Sequence, residues 1–187
     1  MQVEELEIPG VLLITPQIHQ DERGVFAETF RTSVMNEYGV AVPFVQDNHV
    51  YSKHKGTLRG LHFQIPPHPQ GKLIRCTRGA ILDVVVDLRK GSPTYARHLT
   101  TDLSAANWRQ LWIPAGFAHG YLTLEEHCDV AYKVTDYYAP DCDRGILWND
   151  ADLGIDWRLP KNEINLAPRD RKLPTLANYS GALDFIY

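Results

Sequence analysis

The chain lacks most of what would mark a secreted, membrane or nucleic-acid-binding protein. Its 187 residues include three cysteines, Cys76, Cys128 and Cys142. They are too far apart for a disulfide framework or a paired-cysteine zinc site, so a reducing, cytoplasmic setting is expected. No apolar run approaches the length of a membrane span, and the amino terminus carries Glu4, Glu5 and Glu7 where a signal peptide would be apolar. A dominant charge sign is missing too. Lys and Arg number 19 against 23 Asp and Glu, scattered along the chain, which leaves no basic stripe for a nucleic-acid backbone. Repeats, low-complexity stretches and linkers are absent, and with 44% hydrophobic residues the expectation is one compact unit over residues 1–187.

Helical periodicity is also scarce. Thr32 to Tyr38 and Ser104 to Gln110 could each make about two turns outside the main body. Strand signals are plentiful by contrast. Leu82, Val84, Val86 and Leu88 alternate with Asp83, Val85, Asp87 and Arg89, a two-residue period that predicts a strand with distinct faces. Val130, Tyr132, Val134, Asp136 and Tyr138 share one parity of a second strand, which would send both tyrosines to one side. Turn signals recur at short spacing: Lys55-Gly56, Pro66-Pro67, Arg78-Gly79, Gly91-Ser92-Pro93, Pro114-Ala115-Gly116 and Ala139-Pro140. Many short strands so punctuated predict an all-β sandwich or barrel.

Chemistry-bearing residues gather in a few segments. Arg59-Gly60-Leu61-His62-Phe63-Gln64 places His62 and Gln64 on one strand face with Arg59 at the strand's start. Taken by itself, His62 reads first as a hydrogen-bonded core histidine. Lys72, in Gln70-Gly71-Lys72-Leu73-Ile74-Arg75, would reach the same cavity if the two strands pair, and is otherwise a solvated edge lysine. His119 lies in Ile113-Pro114-Ala115-Gly116-Phe117-Ala118-His119-Gly120, read as a loop in which it either bonds backbone carbonyls or lines a barrel mouth. Tyr132 reads first as an amphipathic core tyrosine, and Asp170 as a surface acid in an irregular polar tail.

Together these segments resemble the dTDP-4-dehydrorhamnose 3,5-epimerase family over nearly the full chain. The resemblance also runs through Asp21-Glu22-Arg23-Gly24-Val25-Phe26, Phe44-Val45-Gln46-Asp47-Asn48-His49, Asp83 to Pro93, Tyr132 to Pro140, Ile146-Leu147-Trp148-Asn149-Asp150 and Arg169-Asp170. It departs at Val50-Tyr51-Ser52 and Lys53-His54-Lys55, where the family has Ser-x-Ser and a slightly shorter loop. It departs again at Ala96, where the family often has glycine, and Ala177 to Tyr187 match nothing useful.

The resemblance implies a cupin-type jelly-roll barrel with a few short peripheral helices. It further implies inversion of carbons 3 and 5 of a dTDP-4-keto-6-deoxyhexose without metal or nicotinamide cofactor. By that resemblance His62 is the base, Asp170 its hydrogen-bond partner, Tyr132 the proton donor and Lys72 the enolate stabiliser. Arg23 and Arg59 hold the pyrophosphate, Gln46, Asn48, Glu28 and His119 contact substrate, and Phe26 and Tyr138 pack near the nucleotide. Phe26 belongs to a strand exchanged between subunits, which implies a homodimer. Two other readings compete. A metal-dependent cupin would want a second histidine where Gln64 stands and would not want the charge of Lys72. A binding module would have no use for His62, Lys72, Tyr132 and Asp170 together.

Overall fold

The structure, a computed structural model, describes residues 1–181 and 183–186. Its strands are β1 (Gln2–Glu5), β2 (Leu12–Thr15), β3 (Ile18–Asp21), β4 (Gly24–Ala27), β5 (Gln46–Ser52), β6 (Thr57–Gln64) and β7 (Lys72–Arg78). The chain continues through β8 (Ala80–Asp87), β9 (His98–Ser104), β10 (Gln110–Ile113), β11 (Phe117–Thr123), β12 (Cys128–Val134), β13 (Asp143–Gly145) and β14 (Asn165–Leu166). Two sheets stack, ordered β1-β2-β10-β7-β12-β5 and β13-β6-β11-β8-β9, with β14 pairing β6. The predicted all-β, cupin-like architecture is the one observed. β3 and β4 form a separate hairpin that, among the described residues, is paired only with itself.

Three apolar clusters fill this frame. One lies between the sheets and includes Ile74, Ile81, Val85, Leu111, Phe117, Tyr121 and Val130. The second covers the other side of β6, β8 and β11, where Leu82, Val84 and Val86 meet Trp148, Trp157 and Phe185 from the carboxyl-terminal segment. In the third, Met35 of helix α1 (Thr32–Glu37) packs on Leu12, Ile14, Leu73 and Trp112.

β8 therefore has both faces covered, and its alternation does not separate a wet face from a dry one. Asp83 and Asp87 are fully buried and must be satisfied inside. Asp87 accepts hydrogen bonds from Arg89, Ser92 and Thr94. Asp83 serves the site described below.

Other expectations fare unevenly. α1 forms where predicted, but Ser104 to Gln110 is not helical. There β9 ends at Ser104 and β10 begins at Gln110, joined by a turn in which Asn107 Oδ1 accepts from the Ser104 and Arg109 backbone N–H groups. Such local side-chain bonds compete with helix. β12 stops at Val134, so Tyr138 is not on the strand of Tyr132. β5 runs unbroken through Val50 to Ser52, and His119 sits in β11 itself.

Ala96 sits at φ 61°, the left-handed region where a Cβ is unfavourable and where glycine would be free of strain. Ala96→Gly should raise stability by about 0.5 kcal/mol, the relief of strain slightly exceeding the entropy that glycine adds to the unfolded chain. A urea midpoint that falls would show that the Ala96 methyl contributes more by packing.

Candidate active site

β6 and β11 run side by side with His62 directly opposite His119, so both imidazoles face the space between the sheets. Gly60, two residues before His62, and Gly120, next to His119, are needed for contact. A Cβ on Gly60 would come within 2.5 Å of the Gly120 Cα, which only two facing glycines avoid. The register shifts between His119 and Tyr121 at this point, and Arg59 lines the same cavity as His62 and Gln64.

Lys72 reaches the cavity by a different route from the one expected. β6 and β7 belong to different sheets and do not pair. The lysine faces His62 across the interior, as does Tyr132 from β12 next to it. Gln46 and Asn48 contribute from β5, Tyr138 and Asp143 from the stretch after β12, and Arg169 from the carboxyl-terminal segment. The cavity measures about 440 Å³ and is predominantly polar, a size suited to a sugar and part of its diphosphate.

Each histidine is held by a buried carboxylate. His62 Nε2 lies 2.8 Å from Asp170 Oδ1, and Asp170 is only 3% exposed rather than a surface acid. A 3₁₀ turn over residues 170–172 folds it back against β6, where the Gly60 N–H also donates to it at 3.4 Å. Burial raises the Asp170 pKa, but the bond from His62 and the nearby charges outweigh it and hold the carboxyl below its ordinary value. An ionised carboxylate only accepts, so the proton sits on His62 Nε2 and the lone pair on Nδ1. His119 Nε2 is bound likewise to both oxygens of Asp83, at 3.1 and 2.9 Å.

Burial sets the remaining groups. It pushes the Tyr132 phenol up, with Arg59 opposing, so the hydroxyl keeps its proton at neutral pH. Burial also lowers Lys72 from 10.5 to about 8, against the pull of Asp143 and Asp83. At the mouth, Asp143 accepts from Arg169 at 2.6 Å and from the Tyr138 hydroxyl at 3.2 Å.

The family whose members are described as dTDP-4-dehydrorhamnose 3,5-epimerase matches residues 5–178. The chain belongs to that family. The dTDP-4-dehydrorhamnose 3,5-epimerase of Salmonella typhimurium is 48% identical over 94% of this chain and 96% of its own length. A structure of the Legionella pneumophila epimerase with dTDP-4-keto-L-rhamnose superposes with a TM-score of 0.94 at 41% identity, covering all of this chain and 98% of that one. The Bacillus anthracis member, solved with TDP and PPi, gives 0.90 at 47% identity over 94% and 99%.

Within this epimerase-family chain, nine of the twelve residues singled out from the sequence lie in or directly behind the cavity: His62, Tyr132, Lys72, Asp170, Gln46, Asn48, Arg59, His119 and Tyr138. Arg23, Phe26 and Glu28 do not. Arg23 sits on the β3–β4 hairpin with its side chain 85% exposed and paired to Asp21, while Phe26 is 70% exposed and Glu28 pairs with Arg31. Sequence reasoning missed Asp83, Asp143 and Arg169. Asp83 had a signal, an acid set inside the apolar run Ile81 to Val86. Arg169 had its place beside Asp170 in the Arg169-Asp170 segment, whereas Asp143 had none, because only chain folding brings it to the mouth.

Proposed function

We propose that the protein inverts carbons 3 and 5 of dTDP-4-keto-6-deoxyglucose to give dTDP-4-keto-L-rhamnose. The observation that carries the reading is a carboxylate-bound histidine, His62 on Asp170, facing a protonated phenol, Tyr132, and a desolvated ammonium, Lys72, within one cavity. The ketone at carbon 4 acidifies the C–H bonds on either side. His62 Nδ1 takes the proton, and Asp170 keeps the imidazole in the right tautomer and supports the charge it gains. Electrons move to the ketone oxygen, where Lys72 stabilises the enolate. Tyr132 returns a proton from the other face, and both groups re-equilibrate with solvent before the second centre reacts. The reaction is redox-neutral, so the proposal includes no cofactor.

The proposal extends to binding. Arg59, together with His119, Gln46 and Asn48, holds the diphosphate and sugar, and Tyr138 borders the nucleotide. Arg23, Phe26 and Glu28 serve the cavity of a second subunit, which makes the working unit a strand-exchanged homodimer in the cytoplasm. The exposed Phe26 and Val25 on a self-paired hairpin support this, since apolar side chains so placed favour a covering partner.

Incubation with dTDP-4-keto-6-deoxyglucose in deuterated water, followed by NMR, tests the function. Loss of both ring proton signals with formation of the L-rhamno product is expected, and retention of both protons would refute the assignment. Tyr132→Phe removes one hydroxyl and little volume. This variant should exchange substrate protons for deuterium faster than it forms doubly inverted sugar, because His62 can still return a proton to the original face. Wild-type product formation would make Tyr132 a packing residue.

A further inference from the structure

Gln64 stands on the cavity face of β6 two residues after His62, yet its side chain is occupied elsewhere. It is 4% exposed and spends its amide on backbone groups of the two loops that flank the cavity mouth. Its Nε2 donates to the carbonyls of His68 at 2.7 Å and Tyr137 at 3.2 Å, and its Oε1 accepts the Ala139 N–H at 2.9 Å. Two carbonyls and one N–H allow a single amide orientation, so the arrangement is specific to an amide of this length. Tyr138 lies between the two loop residues that Gln64 grips. Its own N–H donates to Gln46 Oε1 at 3.1 Å, from the opposite sheet. Gln70 adds a bond to the Asp136 carbonyl at 2.8 Å.

We propose that Gln64 is a positioning residue: by clamping residues 137 and 139 it sets where Tyr138 stands at the mouth, and so governs affinity for the nucleotide end of the substrate rather than the rate of proton transfer. Tyr138 is 55% exposed, and apart from the bond of its hydroxyl to Asp143 at 3.2 Å its placement depends on the backbone that carries it. A buried amide with all three bonds made is rigid, since releasing any one would strand a polar group. The inference rests on the nucleotide-sugar reading above.

The test is titration with dTDP together with steady-state kinetics. Gln64→Met keeps the volume and loses the three bonds. It should raise the dTDP dissociation constant and KM about tenfold, the effect of one contact released, while kcat stays within about twofold. Gln64→Asn, which keeps an uncharged amide but is one methylene short of the loops, should show the same split more weakly and serves if the methionine variant does not fold. The decisive readout is a double-mutant cycle. On a Tyr138→Ala background the Gln64 change should add almost nothing to the loss of dTDP affinity. A penalty undiminished by Tyr138→Ala, or kcat falling as steeply as affinity, would overturn the clamp. Wild-type protein that fails to bind dTDP would instead remove the functional reading beneath it.

Discussion

His62→Ala should abolish turnover, by about 10³-fold or more, while leaving dTDP affinity nearly unchanged. In the proposed mechanism the histidine acts at the reacting carbon and not on the diphosphate, and a positioned general base contributes about 10²–10⁴-fold. Asp170→Asn should be milder, because the imidazole survives but loses the acceptor that keeps its proton on Nε2. An asparagine there can present its NH₂ to Nε2 and favour the wrong tautomer, so tens-fold is the expected scale. Deuterium incorporation and calorimetric titration with dTDP check both variants. Near-normal incorporation in His62→Ala would exclude it as the base and turn attention to His119, which carries its own carboxylate.

Lys72→Met should give a protein that is inactive and more stable than the natural one. The lysine's pKa falls from 10.5 to about 8 because burial disfavours its charge, and Asp143 and Asp83 only partly compensate. At neutral pH the folded chain therefore carries a charge that costs about 3 kcal/mol. An isosteric apolar side chain removes that cost, and Tm should rise by about 5 °C. The direction with pH follows. Between about 8 and 10.5 the unfolded chain binds the proton and the folded chain does not, so the natural protein gains stability as pH rises through that window, and the variant loses this gain. Activity moves the other way. The Lys72 ammonium, proposed to stabilise the enolate, is lost above about pH 8, so kcat should fall there with loss of a single proton. A Lys72→Met protein that melts earlier than the natural one would show that the charge is well compensated. That result would imply a closer carboxylate contact than the structure contains.

In the cavity between the two sheets burial lowers Lys72 and raises Tyr132, whereas the bond from His62 holds the Asp170 carboxyl below its ordinary value against burial. Binding energy and catalysis are thus drawn from groups that folding alone would not choose.

The sequence by itself determined the class of fold and most of the site. The alternation in β8 and β12 and the close spacing of turns such as Arg78-Gly79 are local, and local patterns specify strands whatever surrounds them. Residue type alone left His62 as a core histidine, and its role could be read only from the resemblance of the ordered motifs around it. What the sequence left open depended on long-range placement. Strand period gives two distinct faces but does not tell whether the polar one meets water or another sheet, and Asp83 and Asp87 are fully buried. Lys72 joins His62 because two sheets stack, not because adjacent strands pair. Asp170, 108 residues from His62, becomes its partner only when the carboxyl-terminal segment folds over β6. The Ser104 to Gln110 turn shows the reverse case, in which the side-chain bonds of Ser104 and Asn107 overrode a weak helical signal. Local preference selects the elements, whereas burial and the meeting of distant charges are properties of the assembled chain, and these set the ionisation on which the chemistry depends.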